Sequence, residues 1–218
     1  MNSSISALTM TGASGMLVAA LVILWRRHIP SYISAFQWQS VALAFTGAAV
    51  AWHERTAELF LVSALMLAFK GVLVPILLRR MAARFPESQE LQPIVNTEVS
   101  LLISGFLAIA AYEVSRPLAQ VVSLPTRGGL PVAIALILIS LFVVVSRRKA
   151  MTQIVGFLML ENGIALLALL GAYGVPLVVE MGVFLDVLLG VLVMQAVLYR
   201  LPGTGAPETE PPPDRREA

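Results

Sequence analysis

The chain contains no cysteine and only two histidines, His28 and His53, in 218 residues. Without cysteine there can be no disulfide, no cysteine-ligated iron–sulfur cluster and no thiolate nucleophile in this polypeptide. The topology derived below puts the two histidines on opposite faces of a membrane, so they cannot share a haem or a metal ion. Charge is scarce too: Asp, Glu, Lys and Arg make up 13% of the residues, about half of what a soluble domain carries. No G-x-x-x-x-G-K-[ST] loop, Gly-rich dinucleotide fingerprint or H-E-x-x-H occurs, which leaves ATP-driven and zinc-hydrolytic chemistry without its residues. The sequence predicts no cofactor and no metal of its own. Any redox centre belongs to another subunit.

What the chain has instead is hydrocarbon. Hydrophobic residues make up 58% of it and the mean hydropathy is +0.84. Several runs of 15 or more apolar residues approach the length that crosses a bilayer core. The expected fold is an all-α integral membrane protein with seven spans, over 5–25, 33–52, 59–78, 94–112, 130–145, 151–170 and 176–199. No positive charge precedes the first span and Arg26-Arg27-His28 follow it, the reverse of a secretory signal, so a retained anchor is expected. Seven spans divide Lys and Arg 11 to 3 between the two sides, with Lys70 inside a span. That asymmetry predicts an N-terminus outside and a C-terminus in the cytoplasm, and gives the Arg-rich loops the simple role of anchoring topology. The expected organisation is a four-helix part over 1–113, a connection over 114–129, a three-helix part over 130–200, and a disordered tail over 201–218, where proline, glycine and charge replace apolar residues.

Against this background, charged side chains inside spans stand out. Each costs roughly 2.5–3.5 kcal/mol at mid-membrane even on the mildest scale, and such residues mark ion pathways, proton relays or paired contacts. Lys70 lies near the centre of the third span. Pro75, five residues on, has no N–H for the carbonyl of Gly71 and predicts a kink there. Lys70 fits a proton carrier, or a lysine paired with a carboxylate to fix packing. Glu161 lies mid-span in the sixth helix beside Asn162. Asp186 in the seventh shares a helical stripe with Gly182 and Gly190, which turns it toward a close helix–helix contact. Glu180 lies about 9 Å away along the same helix. Glu161, Asp186, Lys70 and Glu180 are the candidate proton- or ion-translocating residues; registry of helix packing is the alternative. Glu98 and Asn96 read as capping or interface residues, and Glu54, Glu58 and Glu113 as surface charges.

The strings Arg147-Arg148-Lys149, Gly156-Phe-Leu-Met-Leu-Glu161-Asn162 and a last helix with acids resemble the K-type subunit of bacterial respiratory complex I. They also resemble the C-type subunit of multisubunit Na+/H+ antiporters. With four helices ahead of that unit, residues 1–200 resemble the hydrogenase-4 component E family, most closely at Leu160-Glu161-Asn162-Gly163 and 179–188. The resemblance aligns Glu161 with the glutamate of the three-helix family's middle helix. It leaves the last-helix partner open between Asp186, by depth, and Glu180, by residue type. Lys70 has no counterpart in the three-helix family.

The resemblance implies a non-redox membrane-arm subunit of an energy-converting [NiFe]-hydrogenase of the hydrogenase-4 or formate hydrogenlyase type, in a bacterial or archaeal plasma membrane. Its implied partners are large antiporter-like subunits and peripheral hydrogenase subunits, and its implied work is proton or sodium translocation coupled to electron transfer elsewhere. A structural scaffold of the same arm, or a self-sufficient cation transporter, are the other expectations.

Overall fold

The computed structural model describes residues 2–26, 28–84, 95–121 and 126–172, and every regular element among them is helical. Helix α1 runs over Asn2–Trp25 and α2 over Ile29–Glu54. The span expected over 59–78 is built in three pieces: α3, Ala57–Met66, a π-helical segment, Leu67–Leu73, and α4, Val74–Arg84. Helix α5 covers Thr97–Val121. A short 3-10 turn, Arg127–Gly129, leads into α6, Leu130–Ser146, and α7 follows over Ala150–Ala172.

Among the described residues, five stretches are long and apolar enough to cross a membrane: Ser4–Trp25, Ala57–Ala83, Thr97–Pro117, Arg127–Ser146 and Ala150–Gly171. The span expected over 33–52 falls within α2, which is not one of those five. At 26 residues it extends about 39 Å, enough for a bilayer core, but Gln37, Gln39 and several hydroxyl residues dilute its apolar content. The packing gives a reason. Helix α2 touches α1, α3, the π segment, α4 and α7, so much of its surface meets protein rather than lipid. The expected seventh span, with Glu180 and Asp186, lies outside the described residues.

The core runs along these seams. Met16, Ile23 and Leu24 of α1, Ile33, Phe36 and Leu43 of α2, Leu78 of α4, Leu136, Ile139 and Val143 of α6 and Met159 and Leu166 of α7 are all buried. Leu102, Phe106 and Ile109 of α5 and Val145 of α6 are instead exposed. Such apolar exposure marks a lipid-facing or partner-facing surface. With several apolar spanning helices, the chain is a multi-pass membrane protein.

Two glycines let helices approach closely, the small-residue device of membrane packing. A methyl group on Gly12 would collide with the Thr46 hydroxyl across the α1–α2 seam. At Gly163 it would lie 3.1 Å from the backbone nitrogen of Ile137, across the α6–α7 seam. The second of these draws the middle of α7, where Glu161 and Asn162 lie, tightly against α6.

One boundary differs from the sequence expectation. The connection placed over 114–129 is helical as far as Val121, with Pro117 inside α5. Local pairs support the turn that Pro117 weakens: Arg116 meets Glu113 at 3.1 Å and lies over the Tyr112 ring at 5.2 Å, and the Ser115 hydroxyl donates to the Tyr112 carbonyl.

Candidate functional site

Several hydroxyls in the helices are satisfied locally. Thr9, Ser40, Thr46, Ser63 and Ser104 each donate to a carbonyl four residues back on their own helix, at 2.8–3.0 Å. That arrangement needs no second helix. Larger polar groups cannot fold back this way, so they must find partners across a seam, and they do so in one layer of the bundle.

Lys70 is the fourth residue of the π segment, with 13 residues before it and 14 after it in the continuous stretch 57–84. Glu161 is the midpoint of α7, with 11 residues on either side. Each lies about 16–21 Å from the ends of its helix at 1.5 Å per residue, and therefore deep in the hydrocarbon. Lys70 Nζ meets Glu161 Oε1 at 3.4 Å, and the two side chains are only 4% and 5% exposed. Sequence reasoning identified both charges but did not join them; the fold does. At 3.4 Å the contact is longer than a short charge-assisted hydrogen bond of about 2.7–2.9 Å.

Pro75 shows its effect just before itself. The predicted kink takes the form of a widened π turn, in which the Val74 N–H reaches back five residues to the Phe69 carbonyl. The Gly71 carbonyl, for which Pro75 has no donor four residues on, accepts from Gln37 Nε2 of α2 at 3.0 Å. Gln37 Oε1 in turn accepts from Arg79 of α4 at 2.7 Å. Gln37 therefore clamps the widened turn from the neighbouring helix, next to the residue that carries the ammonium group. π turns inserted in α-helices occur frequently at functional sites.

One residue along α7, Asn162 is fully buried and donates through Nδ2 to Gln39 Oε1 at 3.2 Å and to Ser40 Oγ at 3.0 Å. Among the described residues, Gln39 Nε2 and Asn162 Oδ1 have no hydrogen-bond partner, so one donor and one acceptor stay open here. The site is a polar layer near mid-membrane that joins α2, the π segment and α7.

Gln37, Gln39 and Ser40 were missed in the sequence. Their signal was two glutamines and a serine at 37, 39 and 40, around Trp38, in a helix otherwise suited to a bilayer. Of the remaining candidates, Asp186 and Glu180 lie outside the described residues. Glu98 is an exposed first-turn residue of α5, and Glu113 is exposed and paired with Arg116. Among the described residues no group of three or more His, Asp or Glu side chains could hold a metal ion.

The chain is 37% identical over 201 residues to the Mycobacterium tuberculosis uncharacterised protein Rv0085, covering 92% of this chain and 91% of that one. It is 24% identical over 192 residues to hydrogenase-4 component E of Escherichia coli K12, covering 87% and 89% of the two chains, and the Shigella flexneri protein of that name matches equally well. No family profile matches the chain, and no solved structure matches it significantly.

Proposed function

Because the chain belongs to one family with Rv0085 and hydrogenase-4 component E, we propose that it is a non-redox membrane-arm subunit of a multisubunit energy-converting complex. In this reading it takes part in proton or sodium translocation driven by electron transfer in other subunits. The observation that carries the proposal is the Lys70–Glu161 pair, buried at the midpoints of two helices and seated on a π turn. A lysine and a carboxylate in contact can exchange a proton between them, or part to admit a cation to the carboxylate. The open hydrogen-bonding positions of Gln39 and Asn162 are the kind of polar lining that a moving proton or a partly dehydrated ion needs. In this reading Asp186 or Glu180, in the span expected over 176–199, is the further carboxylate of the path. The name hydrogenase-4 component E supports a hydrogenase as the partner, and a [NiFe]-hydrogenase or a related complex-I-like assembly is the form we propose.

The test is the ratio of cations moved to electrons transferred, per assembled complex, in sealed membrane vesicles. Glu161→Gln and Asp186→Asn are each expected to lower that ratio at least tenfold. An unchanged ratio in both variants refutes the proposal. Sodium dependence of the wild-type ratio identifies sodium as the ion; its absence identifies the proton.

A scaffold role is the second reading, and the bonds from Asn162 to Gln39 and Ser40 favour it, because they would fix the register of α7 on α2 whether or not an ion moves. Under that reading the same variants lose assembled complex while the ratio in the remainder stays normal.

A further inference from the structure

The sequence reading gave the Arg-rich loops a single role as topology anchors. Arg26 and His28 are exposed, as that role requires. Arg147 is not. It is the first residue beyond α6, with extended backbone angles, and it is only 4% exposed. Its position is fixed by Gln153, whose side chain donates to the Arg147 carbonyl at 2.9 Å.

The guanidinium lies over the ring of Tyr32, in the first turn of α2, with its central carbon 5.9 Å from the ring centre. That contact joins two basic stretches far apart in sequence, because the Tyr32 N–H bonds the carbonyl of His28. A cation held over a ring face uses none of its N–H groups as hydrogen-bond donors in that contact. Nε and one terminal nitrogen are buried without a hydrogen-bond partner. Two parallel N–H groups on one edge are the geometry that grips an oxyanion bidentately. The Tyr32 hydroxyl, on the same ring, is also buried without a partner, and so is the Thr152 hydroxyl in the first turn of α7.

No described carboxylate supplies the acceptor. The sequence has no Asp or Glu in 1–53 or in 114–160, which covers all of α1 and α6, both basic loops and α2 up to its last residue. No described carboxylate lies within ion-pairing distance of Arg147. A buried guanidinium without an anion costs several kcal/mol, and with no described carboxylate beside it the geometry favours a charge-balancing oxyanion from outside the chain. At the end of a 17-residue apolar helix, the abundant oxyanions are headgroup phosphates, and basic residues at this depth attract anionic lipid by about 1 kcal/mol each.

We propose that Arg147, backed by the Tyr32 ring and hydroxyl, binds the phosphate of an anionic phospholipid at the end of the bundle that carries the two basic loops. The site is independent of the Lys70–Glu161 layer and of the translocation reading.

The test uses the purified, delipidated full-length chain in neutral detergent, titrated separately with phosphatidylglycerol, phosphatidylcholine and inorganic phosphate. Lipid retention is read by native mass spectrometry and stabilisation by thermal unfolding. Phosphatidylglycerol is expected to be retained and to raise the unfolding temperature, with phosphatidylcholine weaker by about tenfold. Arg147→Lys, which keeps the charge but loses the paired edge, should weaken retention about tenfold. Tyr32→Phe should weaken it several-fold, and Arg148→Gln only slightly. Should Arg147→Lys fail to fold, Tyr32→Phe and the wild-type lipid preference still decide the matter. Inorganic phosphate matching the lipid's effect would confirm the oxyanion site and assign its ligand to solution. Equal retention of phosphatidylglycerol by wild type, Arg147→Lys and Tyr32→Phe would overturn the proposal. So would the absence of any response to lipid or phosphate, and an acidic peptide of a partner subunit would then be the remaining acceptor.

Discussion

Lys70→Met alone is expected to destabilise the folded chain by about 3–5 kcal/mol, the range seen when one partner of a buried ion pair is removed. The cause is the group left behind rather than the one taken away. Glu161 is 4% exposed at the centre of α7, and without the ammonium at 3.4 Å its charge loses its described counter-ion far from water. Unfolding by denaturant in mixed micelles, compared with wild type, measures the loss. A change below about 1 kcal/mol would mean that the pair contributes little and that Glu161 is stabilised chiefly by other groups.

The second large effect separates packing from function. The double substitution Lys70→Met with Glu161→Leu removes both charges and keeps similar volumes, a replacement that is often neutral or stabilising by about 1–4 kcal/mol. Stability and assembly are therefore expected to return close to wild-type levels. Coupled cation movement is expected to stay at least tenfold below wild type, because neither titratable group of the described pair remains. Normal coupling in a well-assembled double variant would assign the pair to registry alone. The opposing directions of the two readouts make this more informative than either single substitution.

How far the sequence carried the argument depends on how each interaction is encoded. Charges inside apolar helices are conspicuous, so Lys70 and Glu161 were recognisable residue by residue. The weakness at Gly71 followed from Pro75, because the missing N–H is a local covalent fact. That Lys70 and Glu161 face each other depends on α2, α7 and the π segment meeting in one place, and nothing local encodes such a contact between residues 91 positions apart. Gln37 and Gln39 escaped notice because an uncharged amide disturbs hydropathy little, although it marks the face of α2 turned toward protein. Arg147 was misjudged in the opposite direction: its neighbours Arg148 and Lys149 made it look like one of an ordinary basic cluster, and only its burial distinguishes it. The helix that continues past Glu113 was hidden by Pro117, which reads as a terminator when the side-chain pairs supporting it are not known.

The central claim is that Glu161 changes its bond to a proton or cation during turnover. Infrared difference spectroscopy of the assembled complex, comparing resting with turning-over states, addresses this directly, because a carboxyl group absorbs differently when protonated, ionised or cation-bound. The account predicts a carboxyl difference band that is absent in Glu161→Gln and altered in Lys70→Arg. Difference spectra of wild type and Glu161→Gln that coincide throughout the carboxyl region would contradict it.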